Sequence, residues 1–151
     1  MPSLELLHTP GSKEYIIAQS YLKNDDPNAE ERIRMEAGED GVHYMHTVKI
    51  GSGLKRIEKE NDITAREFYG FQDRLDYSAR PVMKTRYRMP YRNQVIEIDI
   101  YPNWDEHAIL EVELRSGNDP VHIPDFIEVV KEVTGDKAYS NYSFAFAPLK
   151  L

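Results

Sequence analysis

The chain reads as an antiparallel α+β domain, and three observations lead to that class. Short segments alternate charged and apolar residues, the period of a sheet whose two faces differ. Turn residues join most of these segments at hairpin length. Helical signatures, by contrast, are few. About seven short strands and two helices account for the chain.

Composition sets the frame. At 151 residues, the length is that of a single domain, 1–151, large enough for a core without covalent staples. The absence of cysteine excludes disulfides, thiolate metal sites and thiol nucleophiles, and it suits a reducing, cytoplasmic setting. No apolar run is long enough to span a bilayer and no leader-like segment opens the chain, so neither a membrane nor export is expected. A net charge of −7 argues against nucleic acid as a partner, while leaving room for a local basic cavity.

The elements follow in order. A short apolar patch ends at the breaker Thr9-Pro10-Gly11-Ser12, and 15–22 reads as the first clear strand. The cluster Asn24-Asp25-Asp26-Pro27-Asn28 turns the chain. Residues 31–35 alternate again and place Arg32 and Arg34 on one face. After the turn Gly38-Glu39-Asp40-Gly41, residues 43–50 place Thr47 and Lys49 together. Gly51-Ser52-Gly53 is a hairpin turn, and its second arm carries Arg56, Glu58, Glu60 and Asp62 at a spacing of two. Thr64-Ala65-Arg66-Glu67 has capping-box form and opens a helix with Phe68, Phe71 and Leu75 as its apolar stripe.

Beyond the loop 77–80, Pro81 stands at the entrance of a strand over 82–89 that aligns Lys84, Arg86 and Arg88. Residues 90–93 turn back into 95–101, with Glu97 and Asp99 opposite Ile96, Ile98 and Ile100. Residues 109–115 repeat the design with Glu111 and Glu113. A second helix is predicted over 125–133, capped by Asp125 with Glu128 and stopped at Gly135. The tail from 136 to 151 reads as a last short strand or loop.

The charged faces carry the functional argument. One reading is an antiparallel sheet with one wet face, its charges paired across strands. Two features favour another. The faces are almost purely ionisable, and the signs segregate by strand. If such a sheet curls with these faces inward, its basic residues suit a polyanion and its carboxylates suit a hard divalent cation. Charges buried in that number must be paired or liganded.

Other chemistries find no support. Gly51-Ser52-Gly53 lacks the phosphate-loop surroundings, and no G-x-S-x-G nucleophile motif occurs. His43 and His46, three apart on a strand, face opposite sides. His8, His107 and His122 stand alone in the sequence, and Trp104 reads as a packing residue.

In order along the chain, the segments Ile17-Ala18-Gln19-Ser20-Tyr21-Leu22, Arg32-Ile33-Arg34, Thr47-Val48-Lys49-Ile50-Gly51, Arg56 with Glu58 and Glu60, Lys84-Thr85-Arg86-Tyr87, Glu97-Ile98-Asp99 and Glu111-Val112-Glu113 resemble the CYTH-type, or triphosphate tunnel, superfamily. Glu132-Val133-Thr134-Gly135-Asp136 and Tyr139-Ser140-Asn141 complete the resemblance, which spans 15–141. The superfamily includes class IV adenylate cyclases, thiamine triphosphatases and inorganic triphosphatases. The resemblance implies an eight-stranded antiparallel β-barrel tunnel, fully or incompletely closed, with a few flanking helices. It also implies basic residues that hold a triphosphate and acidic residues that hold one or two metal ions. The superfamily's opening E-x-E-x-K strand has no full match, since Glu5 is the only acid in 3–9.

On that basis the expected function is metal-dependent hydrolysis of a triphosphate compound. Arg32, Arg34, Lys49, Arg56, Lys84 and Arg86 would neutralise the phosphates. Glu58, Glu60, Glu111 and Glu113 would hold Mg²⁺ or Mn²⁺, and Glu97, Asp99 and Lys84 form the catalytic set, the two carboxylates supporting the metal or orienting water. Two alternatives stand beside it. The shortened acidic start motivates a binding module for polyphosphate or nucleotide, and adenylate cyclase chemistry would convert ATP to cyclic AMP and pyrophosphate. The expected partner is a triphosphate-containing small molecule. An incompletely closed barrel also leaves strand edges that a second copy would cover, giving a homodimer.

Overall fold

The structure is a computed structural model that describes residues 7, 8, 10–51, 56–102, 104, 106–134 and 136–139. Its strands are β1 (Lys13–Tyr21), β2 (Ala29–Gly38), β3 (Gly41–Ile50), β4 (Ile57–Ile63), β5 (Val82–Tyr91), β6 (Gln94–Ile100) and β7 (Ile109–Glu113). Helix α1 (Ala65–Gly70) follows β4 and runs into a 3-10 turn, Phe71–Arg74, and a second 3-10 turn covers Lys137–Tyr139. Hydrogen bonding orders the strands β4-β3-β2-β1-β5-β6-β7. The pairs β2/β3, β3/β4, β5/β6 and β6/β7 are antiparallel.

The antiparallel α+β class therefore holds, and two details change. In this order β4 and β7 have one neighbour each, so the described residues form a seven-stranded open ladder, where the resemblance implied eight strands. The opening segment up to residue 6, Thr9, the turn residues Ser52 and Gly53, and the tail from 140 onward lie outside the described residues. The helix expected over 125–133 is absent: a turn at Asp125 and Phe126 gives way to irregular chain. Only a single local bond, Ile127 N–H to the Pro124 carbonyl at 3.0 Å, marks its start. Ile127, Val129, Val130 and Val133 are β-branched and lose side-chain freedom in a helix. A helix of that length needs a buried face, yet Val129 and Val130 are 56% and 65% exposed.

Two compact units make up the chain. One comprises the chain up to Ile16 together with Lys84–Thr134, and the other comprises Ile17–Met83 with the chain from Gly135 onward. In the first, Leu7, Tyr87, Met89, Ile96 and Ile98 form the core, joined by Leu110, Val112 and Ile127. The alternation in β5 and β6 accounts for it, because Tyr87 and Met89 lie opposite Ile98 and Ile96 in register. Burying each such side chain contributes roughly 1.5–3 kcal/mol. Charged residues at the intervening positions then share the other face.

The second unit is built on β2, β3 and β4. Glu39 and Asp40 close the β2–β3 hairpin, and Gly41, at φ 108°, supplies the positive angle that the turn needs. Met35, Ile33 and Glu31 pair with Tyr44, His46 and Val48 and share one face. The helix lies on that face: Tyr44 meets Phe68 at 4.9 Å and His46 stacks on Phe71 at 4.9 Å. Thr64 caps α1 as expected, in a complete capping box with Glu67. Arg32, Arg34, Thr47 and Lys49 lie on the opposite face, away from α1. No described helix is long and apolar enough to cross a membrane.

Candidate functional site

The site residues expected from the sequence divide between the two units. Arg32, Arg34, Lys49, Arg56, Glu58 and Glu60 lie in the second unit, and Lys84, Arg86, Glu97, Asp99, Glu111 and Glu113 in the first.

In the second unit the register sets three cross-strand rows on one face: Glu30–Lys49–Glu58, Arg32–Thr47–Glu60 and Arg34–Met45–Asp62. Arg34 reaches Glu60 at 3.7 Å, and Arg56, just before β4, reaches Glu30 at 3.8 Å. Lys49 is held below its usual pKa, first by burial and next by the Arg32 charge, with Glu30 and Glu58 pulling the other way. Burial and the Arg32 charge together thus outweigh the two glutamates beside Lys49. Arg32 Nε is buried without a hydrogen-bond partner. Gln19, fully buried, leaves both atoms of its carboxamide unpartnered.

The opposite face of the same unit holds a cluster that the sequence did not announce. Glu31, with 5% of its side chain exposed, accepts from His46 Nε2 at 2.6 Å, Arg74 at 2.5 Å and Asn24 at 3.1 Å. Burial acts to raise its pKa, but these hydrogen bonds win and hold it below the usual carboxylate value. His43 and His46 do face opposite sides: His43 pairs with Glu36, and His46 with Ile33. The cluster ties the 3-10 turn after α1 to the sheet, a structural task.

In the first unit the basic strand β5 lies directly against the acidic strand β6, Arg86 opposite Asp99 and Arg88 opposite Glu97. Lys84 Nζ donates to Asp99 at 2.7 Å, and Arg86 donates to both Asp99 oxygens at 2.7 and 2.9 Å. Arg86 also meets Glu97 at 3.1 Å, and Arg88 meets Glu113 at 3.1 Å. Burial alone would raise Asp99, yet the Arg86 hydrogen bonds and the Lys84 charge hold its pKa down. Glu97 moves the other way: burial first, then the Glu113 and Asp99 carboxylates, raise its pKa against Arg86 and Arg88. Glu97 lies opposite Glu111 across β6 and β7. Two expectations about charge thus hold in the same strands: the residues share a face, and they pair across it.

Among the described residues, no three His, Asp or Glu side chains stand close enough to enclose a metal ion. Glu58 with Glu60, and Glu111 with Glu113, share strand faces at a spacing of two without forming such a group.

No family model and no curated protein sequence matches the chain. Solved structures do. A crystal structure of the inorganic triphosphatase NE1496 is similar to it at a TM-score of 0.62 and 25% identity, covering 92% of this chain and 87% of that one. Another, described as the hypothetical protein NE1496, aligns at a TM-score of 0.63 and 26% identity over 92% and 90%. The chain resembles the CYTH, or triphosphate tunnel, superfamily in its fold as well as in its motifs.

Within the CYTH superfamily pattern, the chain's opening strand departs most, and its sole acid, Glu5, lies outside the described residues. The Arg32-Ile33-Arg34 and Lys84-Thr85-Arg86 motifs, by contrast, sit on strands with their cations in phase. Gln19 belongs to the superfamily-like segment 17–22, but it carried no functional sign in the sequence. Glutamine on a strand is most often solvated. Its burial, between Ile17 and Tyr21 at a spacing of two, is visible only in the fold.

Proposed function

We propose that the chain hydrolyses a triphosphate compound with the help of a divalent cation. The observation that carries this reading is the charged face of the second unit, where Lys49, held below its usual pKa by burial and then by the Arg32 charge, stands among Arg32, Arg34 and Arg56, and Arg32 Nε is left buried and unpartnered. Its arginines and lysine suit a chain of phosphates, and the carboxylates on the same face, Glu58, Glu60 and Asp62, suit a cation that accompanies it. The likeness to an inorganic triphosphatase supports the same class of substrate.

The oxygen donors present suit Mg²⁺ or Mn²⁺. Glu58 and Glu60 would hold such an ion in the second unit, and Glu111 and Glu113 would do so in the first. Glu97, made more basic by burial and by Glu113, is a carboxylate whose environment favours a nearby positive charge. When bound, the ion supplies charge neutralisation at the reacting phosphoryl group. Arg32, Arg34, Lys49 and Arg56 bind and orient the phosphate chain. Asp99 fixes Lys84 and Arg86 so that their donors stand in set directions, and Glu97 accepts a proton from an attacking water.

A non-catalytic phosphate binder is the second reading, favoured by the lack of a three-carboxylate group among the described residues. Phosphate release from tripolyphosphate, with Mg²⁺, with Mn²⁺ and with chelator, separates the two. Metal-dependent release, abolished in Glu111→Gln or Glu113→Gln, is expected. Tight binding without release in any metal selects the binder, and unchanged turnover in both variants removes these glutamates from the site. With ATP as substrate, cyclic AMP and pyrophosphate in place of a diphosphate and phosphate would mark cyclase chemistry.

A further inference from the structure

We propose that the Gln19 carboxamide is a phosphate contact at the base of the cation-crowded face, a neutral donor that works beside Arg32. The inference rests on the triphosphate reading above.

The geometry follows from strand alternation. Leu22 N–H donates to the Glu31 carbonyl at 2.9 Å, which sets Leu22 beside Glu31 on the helix-bearing face. Leu22 also bridges to Leu75, just after the 3-10 turn on that side. One residue earlier, Tyr21 therefore faces the other way, and Gln19, two residues before it, faces with Tyr21. That is the face of Arg32, Arg34, Thr47 and Lys49.

Gln19 is 0% exposed, and neither its Nε2 nor its Oε1 has a partner. Buried polar groups are nearly always hydrogen-bonded, and a buried carboxamide with both ends unmet costs folding stability. Methionine or leucine would fill the same space without that cost. Arg32 Nε lies unmet on the same face. Two N–H donors, one neutral and one cationic, stand on that face without an acceptor, and an oxyanion satisfies both. The carboxamide oxygen then accepts from a hydroxyl on the terminal phosphate or from water. Unlike a lysine at the same place, the amide adds a directed donor without adding another charge to a face where burial and then Arg32 already lower Lys49.

Calorimetric titration of the full chain with tripolyphosphate, alongside melting curves of the ligand-free proteins, tests this. Gln19→Met is expected to melt at the wild-type temperature or about 2–4 °C higher, and to bind tripolyphosphate roughly tenfold or more weakly, the effect of one hydrogen bond to a charged acceptor. A merely structural glutamine gives the higher melting temperature with unchanged affinity, and that result overturns the proposal while leaving the triphosphate reading in place. A wild-type chain that binds no tripolyphosphate overturns both. Should Gln19→Met fail to fold, the side-chain NH₂ signals of Gln19 in the wild-type NMR spectrum decide. A shift on adding tripolyphosphate supports the contact, and an unmoved pair of signals refutes it.

Discussion

Single side chains in this protein are stabilised by their partners far more than by their surroundings. Asp99 shows it most clearly: its side chain is 4% exposed and that of Lys84 1%, so neither charge has water to fall back on. Replacing Asp99 with Asn leaves Lys84 buried beside a neutral group, and we expect a loss of about 3–5 kcal/mol in urea denaturation. Glu97→Gln should cost clearly less, because burial already favours the protonated form of Glu97. Equal losses would show that the Lys84 pairing is worth no more than the rim contacts. Glu31 carries a pH signature. Its folded pKa lies below 4.5, so its contribution is fully present above about pH 4.5 and is lost as pH falls through the lower folded value. Glu31→Gln should therefore cost about 2–3 kcal/mol at neutral pH, with the gap to wild type closing as the pH falls below about 4.5. A gap that stays constant on acidification would remove Glu31 from the acid response.

At the scale of elements, the strands follow local rules and the second helix does not. Hairpin β2–β3 depends on one backbone angle. Gly41 sits at φ 108°, and nothing lies within 4 Å of where an alanine Cβ would stand, so Gly41→Ala strains the backbone without a clash. The expected cost is about 1–2 kcal/mol, read as a fall in melting temperature of roughly 2–8 °C. An unchanged melting temperature would mean that the turn relaxes to another type. The strands were legible because alternation at Arg32, Arg34, Thr47, Lys49, Lys84 and Arg86 is a property of neighbouring residues. Residues 125–133 show the limit of that method. Asp125 and Gly135 have the chemistry of a cap and a stop, yet Val129 and Val130 found no surface to bury against, and capping alone does not sustain so short a helix.

Across the whole molecule, a net charge of −7 coexists with a local cation-rich face. Binding a polyanion there works against the overall field, so it relies on short-range contacts and on cations crowded at close quarters. Tripolyphosphate at about a hundred times its dissociation constant should stabilise the fold by about 2.7 kcal/mol, a melting shift of roughly 5–11 °C. Raising the salt to about 1 M, where screening acts within about 3 Å, should shrink that shift. A shift indifferent to salt would place the ligand away from Arg32 and Lys49.

The sequence by itself determined which side chains share a strand face, where the hairpins turn, that α1 begins at Thr64, and the superfamily to which the motifs point. These are consequences of residues within a few positions of one another. Only the tertiary structure decided that Lys84 and Arg86 are clamped by Asp99, that Glu31 gathers His46 and Arg74, that 125–133 forms no helix, and that Gln19 is buried with its amide unmet. Each of those depends on which distant strand lies alongside and in what register. Alternation tells a residue's face, while its partner and its access to water are set by the neighbour that the fold brings to it.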